Sequence, residues 1–151
     1  MPPVPEFSAG GVVLDADPRT DPGRAPRCVV IVPTRRAADG QRVLALPKGH
    51  PDPGETALDG ALREVREEAG VDAELIAELG DVRYFYMREG QRIAKVVRFF
   101  LMTATGGDVA DHDHEVEDAR WVSLEEAAAT LSYAGEREMV RKALLHTQPN
   151  G

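Results

Sequence analysis

Residues 49–71 read GHPDPGETALDGALREVREEAGV, from Gly49 to Val71. Their first seven residues hold two prolines and two glycines, a composition for a loop of fixed shape rather than for a regular element. From Thr56 the pattern changes. Leu58, Leu62, Val65 and Ala69 recur at spacings of four and three, the period of a helix face, and Gly70 supplies a stop. The spacing predicts a helix over 56–69 with those four residues toward the core. Glu64, Glu67 and Glu68 gather on another face of the same wheel, where like charges three and four apart repel. A solvated acidic face paired through Arg63 and Glu67 is one reading of them. The other is a set of hard oxygen donors for a divalent cation.

Working outward, Phe7–Leu14 opens with small residues and reads as a strand, and Cys28–Val32 is a β-branched run suited to a strand buried on both faces. Between them Asp15–Pro26, rich in proline, aspartate and arginine, reads as a loop excursion. Gln41–Leu46 is expected as a further strand. Glu74–Glu89 and Arg92–Thr103 are expected as strands joined by a turn at Glu89–Gly90. Gly106–Asp118 reads as an acidic loop, Ala119–Val122 as a short strand, and Leu124–Leu131 and Glu136–His146 as helices. The natural assembly is α/β, a mixed β-sheet sandwiched between α-helices.

The chain has 151 residues, enough for one domain, 1–151, with a real core. Its acids outnumber Lys and Arg by 26 to 18, a net charge of -8, which argues against coating nucleic acid. Clustered carboxylates are instead compatible with a cation. Cys28 stands alone, so no internal disulfide or cysteine-based zinc cluster is expected, and its apolar neighbours suggest a buried, inert thiol. The N-terminus lacks the basic start and apolar run of a signal peptide, and no apolar stretch has membrane-spanning length. A soluble cytoplasmic protein is the expectation.

Gly49, Glu55, Arg63, Glu64, Val65, Glu67, Glu68, Gly70 and Val71 together resemble the Nudix box at every defined position. The resemblance covers most of Phe7–Leu144 and implies a Nudix fold and a metal-dependent pyrophosphohydrolase. It implies Mg²⁺ or Mn²⁺ held by Glu64, Glu67, Glu68 and the carbonyl of Lys48, with one glutamate assisting deprotonation of water. It gives Arg63 and Glu55 a bracing role, and Gly49, Gly54 and Gly70 a backbone-shape role.

The phrase Leu46-Pro47-Lys48-Gly49-His50 is similar to the diadenosine-polyphosphate hydrolases and to actinobacterial-type MutT proteins. It implies that Lys48 and His50 lie near a phosphate chain, where a cation and an imidazole are sensible partners. His114-Glu115 before Trp121 resembles the same group and implies a metal ligand outside the box at Glu115, with Glu117 second. Lys95 matches a phosphate-facing lysine. Asp111–His114 is a weaker zinc candidate. Tyr84, Tyr86 and Tyr133 are candidate stacking platforms for a base, and alternation puts Tyr84 and Tyr86 on one face with Phe85 on the other. The same tyrosines could instead cap the core, and Trp121 is expected in it.

The first reading is hydrolysis of a dinucleoside polyphosphate or related small nucleotide by a monomer or homodimer. The alternative is a MutT-like nucleoside triphosphate pyrophosphatase of the 8-oxo-dGTP type. A nucleotide-binding regulator without catalysis is a third class, disfavoured by an intact box.

Overall fold

Alternation along β1 (Val4–Leu14) sorts the core into two layers. In the computed structural model, which describes residues 2–148, Val12 and Leu14 join one cluster. That cluster includes Val30 of β2 (Arg27–Pro33) and Val97, Phe99 and Leu101 of β5 (Gln91–Gly107). Ala9 and Val13 join the other, with Val29, Ile31, Phe100 and Met102. Helix α1 (Ala57–Ala69) covers the second layer through Ala61, Val65 and Ala69. Helices α2 (Leu124–Thr130) and α3 (Ala134–Thr147) cover the first through Leu124, Ala127, Met139, Val140 and Ala143. A mixed sheet between helices, as expected, is the architecture. No helix among the described residues is long and apolar enough to cross a membrane.

The sheet runs β4-β5-β1-β2-β6, with the short β3 (Lys48–Gly49) also paired to β1. β1 and β5 are parallel from Val4 opposite Ile93 to Leu14 opposite Thr103. β4 (Val71–Arg88) and β5 form an antiparallel hairpin. Its turn is the expected Glu89–Gly90, with φ of 51° and 76°, the left-handed pair a tight hairpin turn requires. β2 pairs antiparallel with β6 (Val116–Ser123). β5 runs on to Gly107 and a 3₁₀ turn occupies Val109–Asp111, so the acidic loop is shorter than the sequence suggests.

One expected strand is corrected. Gln41–Leu46 is not a strand; only isolated bridges join Ala45 to Ile31 and Arg42 to Arg36. The reason is where the segment lies. β1 and β2 meet only at Leu14 opposite Cys28, and residues 45–49 pass between them. Ala45 exchanges two hydrogen bonds with Ile31 (2.8 and 2.9 Å), while Gly11 N donates to Pro47 O (3.1 Å). Gly10 is needed there, because a side chain would run into the Pro47 carbonyl and Lys48. On α1 the expected face, Leu58, Leu62, Val65 and Ala69, does pack on the second layer. Gly60 and Ala61 are buried in it, and Leu58 and Leu62 are only partly so. Small residues let the helix approach the loop before it, where a Cβ on Gly60 would stand 3.1 Å from Pro51.

The helix ends are as the sequence suggests. Thr56 Oγ1 accepts from Asp59 N (3.1 Å), and Gly70, at φ 75°, donates its amide to Arg66 O. The 15–26 excursion is tied to itself: Asp15 accepts from the backbone and side chain of Arg27, and Asp17 from Arg19. Cys28 is buried, and burial pushes its thiol up to about 12, so it is inert.

Candidate active site

Arg63 organises the loop before α1. Its Nε donates to Glu55 Oε2 (2.9 Å), its Nη2 to His50 O (2.9 Å), and its Nη1 to Glu64 Oε1 (2.9 Å) and Glu67 Oε2 (3.0 Å). A guanidinium suits this because its donors form a fixed fork. Glu55 accepts from Asp52 N as well (2.6 Å), closing the 52–55 turn, and Arg63 holds its carboxyl below the usual range. These contacts are what a bracing pair makes.

Glu68 stands one turn along the helix from Glu64. Lys48 N donates to its Oε1 (2.7 Å), and burial above all pushes its carboxyl up to about 8. The charges of Glu64 and Asp113 push the same way, against the bond from Lys48. Burial also raises Glu64, opposed by Arg63 and helped by Glu67 and Asp113. Gly49 is laid against Glu64 so closely that a Cβ would strike the carboxyl. Glu67 is exposed.

As donors these groups fit a hard divalent cation: carboxylate oxygens, two of them held back from ionising by burial and mutual repulsion that such a charge would relieve. As they lie, no three His, Cys, Asp or Glu side chains among the described residues converge on an ion position, the Asp111–His114 run included. Arg63 engages both Glu64 and Glu67 instead.

Outside the box, Asp113 is the acid whose charge reaches both Glu64 and Glu68. The chain is anchored there by Asp113 N donating to Glu67 O (2.9 Å). Sequence reasoning chose Glu115, which is exposed and whose amide donates to Asp113 Oδ1 (3.1 Å). Glu117, the second choice, is paired with Arg36 at 2.8 Å and Arg42 at 3.6 Å.

A cavity of about 770 Å³ opens between the β4–β5 hairpin and the start of α3. Tyr84 and Tyr86 line it from β4 and Tyr133 from the turn before α3, with Val82, Val97 and Phe99 as apolar wall. Phe85 is turned the other way, 57 % exposed, with the Arg92 guanidinium 3.9 Å from its ring centre. A second hollow of about 220 Å³ holds Gly49, His50 and Glu68, and Arg35, Lys48 and Lys95 line both spaces. Lys48, His50, Lys95 and the three tyrosines therefore share one path with Glu68, whereas Glu64, Glu67 and Glu115 line neither space.

Two of the cations along it are not free. Lys95, 7 % exposed, donates to Glu6 Oε1 (2.8 Å), which also accepts from Tyr86 OH (2.6 Å). Lys48 Nζ donates to Glu136 Oε2 (3.1 Å). His50 is exposed, its Nδ1 3.1 Å from Phe7 O. Sequence reasoning missed Arg35, whose Nη1 donates to Tyr133 OH (2.9 Å), along with Glu6 and Glu136. Trp121 is half-buried against the α1 layer.

A mixed sheet sandwiched between helices, with this loop–helix carrying its acids, defines a NUDIX domain, and residues 8–143 match the model of that family. The chain belongs to it. It is 38 % identical over 140 residues, 93 % of its own length, to a Mycobacterium tuberculosis protein that carries the name of mutator protein MutT4. It spans 55 % of that relative's length. It is 32 % identical over 96 residues to the asymmetrical bis(5'-nucleosyl)-tetraphosphatase of Caenorhabditis elegans, covering 64 % of this chain and 70 % of that one. A NUDIX hydrolase from Nitrosomonas europaea shares the fold at a TM-score of 0.72 and 18 % identity, over 95 % of this chain and 91 % of that one.

Proposed function

We propose that this chain hydrolyses a phosphoanhydride bond in dinucleoside polyphosphates or related nucleotides, with a divalent metal as cofactor. One observation carries the reading: Glu68 of α1 lines a hollow that shares Arg35, Lys48 and Lys95 with a tyrosine-lined cavity of about 770 Å³. That volume is within the roughly 300–1,000 Å³ of small-molecule sites. Mg²⁺ or Mn²⁺ held by Glu64, Glu67, Glu68 and the Lys48 carbonyl would neutralise anhydride oxygens and make a bound water more acidic. The chain's own residues do the rest. Glu64 or Glu68 accepts the proton of the attacking water. Lys48, His50 and Arg35 meet phosphate oxygens, with Lys95 sharing its charge between them and Glu6. Tyr84 and Tyr86 offer a base their cavity faces, and Tyr133 closes the opposite wall.

A MutT-like nucleoside triphosphate pyrophosphatase is the second reading. The 38 % identity to the protein named MutT4 favours it. Incubation with diadenosine tetra- to hexaphosphates, 8-oxo-dGTP and ADP-ribose in Mg²⁺ or Mn²⁺, followed by product chromatography, decides between them. The dinucleotides are expected to turn over fastest, and excess EDTA to abolish turnover reversibly. Preference for 8-oxo-dGTP selects the second reading, and persistence in excess chelator overturns the mechanism.

A further inference from the structure

The turn between α2 and α3 is fastened to residues 44–48. Ser132 N donates to Leu44 O (2.9 Å) and Leu44 N to Ser132 Oγ (2.8 Å). Next, Leu46 N donates to Glu136 Oε1 (2.8 Å) and Lys48 Nζ to Glu136 Oε2 (3.1 Å). The amides of the alternate residues 44, 46 and 48 are thus taken in turn by Ser132, Glu136 and Glu68. Glu136 is 4 % exposed and both its oxygens are used. Buried ion pairs can often be replaced by apolar groups without loss of stability, so packing alone does not call for a carboxylate here.

What the carboxylate does is fix Lys48 at both ends. Its Oε2 anchors the ammonium, which also lies 5.5 Å from the Tyr133 ring centre. Its Oε1 holds the backbone two residues before the Lys48 amide that meets Glu68.

We propose that Glu136 is a positioning residue for the hydrolytic site: it aims the Lys48 ammonium into the cavity and sets the Lys48 amide on Glu68. The assignment rests on the reading of the site given above, and it makes the first turn of α3 part of the active centre although no acid of the box lies on it. Misplacement of a reacting group by about 1 Å costs on the order of a hundredfold, so freeing Lys48 has a kinetic signature.

Glu136→Gln is the informative variant. The amide oxygen still accepts from Leu46 N, while its NH₂ replaces the acceptor of Lys48. Its kcat/KM on the best substrate of the wild type is expected to fall about ten- to hundredfold, at a melting temperature near that of the wild type. In a Lys48→Met background the same change is expected to cost nothing further, because the group it acts through is gone. A role confined to folding predicts independent, multiplying losses, and that result overturns the proposal. So does a Glu136→Gln enzyme with wild-type kcat/KM. Amide exchange in metal-free protein tests the clamp without turnover. Glu136→Ala is expected to lose protection at Leu46 and Lys48, whereas Glu136→Gln keeps it at Leu46. Unchanged exchange in Glu136→Ala refutes the clamp whatever the substrate, whereas a wild type inactive on every nucleotide refutes only the reading of the site.

Discussion

Glu68 is a residue the fold works against: it is held among apolar and acidic neighbours with its carboxyl raised to about 8. A group whose folded pKa is raised binds more protons folded than unfolded between about pH 4.5 and 8, so in metal-free protein it costs stability as pH rises through that window. Glu68→Gln keeps the acceptor for Lys48 N and removes the charge. In EDTA the variant is therefore expected to melt higher than the wild type at pH 8, with the gain shrinking toward pH 4.5. The same change, and Glu67→Gln, are expected to lower turnover by at least roughly a hundredfold, as loss of a ligand to a catalytic metal does. Near wild-type hydrolysis by both variants would remove these glutamates from the mechanism. The box residues were legible because their partners are local in sequence, as Arg63 with Glu55 and Glu67 shows. Glu136 meets Leu46 across 90 residues and Glu6 meets Lys95 across 89. Nothing in the spacing of a sequence joins groups so far apart, so the sequence shows Lys95 as a phosphate-facing lysine without its partner Glu6.

At the scale of elements, helix periodicity found α1 and hairpin chemistry found β4 and β5, because both signals are carried by the element itself. The 41–46 segment failed for the complementary reason. Its apolar run Val43–Leu46 is real, but the amides of Leu44 and Leu46 are taken by Ser132 and Glu136, so side chains replace the ladder that a strand needs. The end of α1 is set more firmly than its start. Gly70 holds φ 75°, and a Cβ there would run into the carbonyl of Asp108, whose own amide donates to Gly70 O (3.0 Å). Gly70→Ala is expected to cost more than the roughly 1–2 kcal/mol of a left-handed alanine, because the backbone of the 107–112 connection must also move. Thr56→Ala, which removes only a cap, is expected to cost about 1 kcal/mol. Urea unfolding of the two variants checks the order. A Gly70→Ala loss no larger than that of Thr56→Ala would mean the connection yields freely, and Asp113 would then lose its fixed place beside Glu67.

Across the whole molecule, a chain of net charge -8 presents Arg35, Lys48 and Lys95 to one cavity. Local sign rather than net charge governs which ligands such a cavity attracts, and here it favours anions. Two of these cations are matched by acids reaching them from other elements, the buried Glu136 from α3 and the half-buried Glu6 from β1. Glu6 lies directly opposite Lys95 in the parallel β1–β5 pair, so the ion pair also joins the central strands. The hydrogen bond from Lys95 is the largest cause, followed by that from Tyr86, holding Glu6 down to about 2. A depressed carboxyl contributes stability above its unfolded pKa and loses it as pH falls through its folded one. Between about pH 4.5 and 2 the unfolded chain binds the extra proton, so this contribution rises with pH there and is complete above it. Lys95→Met keeps the packing and removes the main cause. The variant is expected to be less stable than the wild type at pH 7, with the difference closing as pH falls from about 4.5 toward 2. Taking the difference between the two proteins cancels the other carboxylates, and EDTA keeps metal out of the comparison. Thermal unfolding of both from pH 3 to 7 makes the test: a stability difference that ignores pH over that range would mean Glu6 does not depend on Lys95, leaving the lysine free for phosphate.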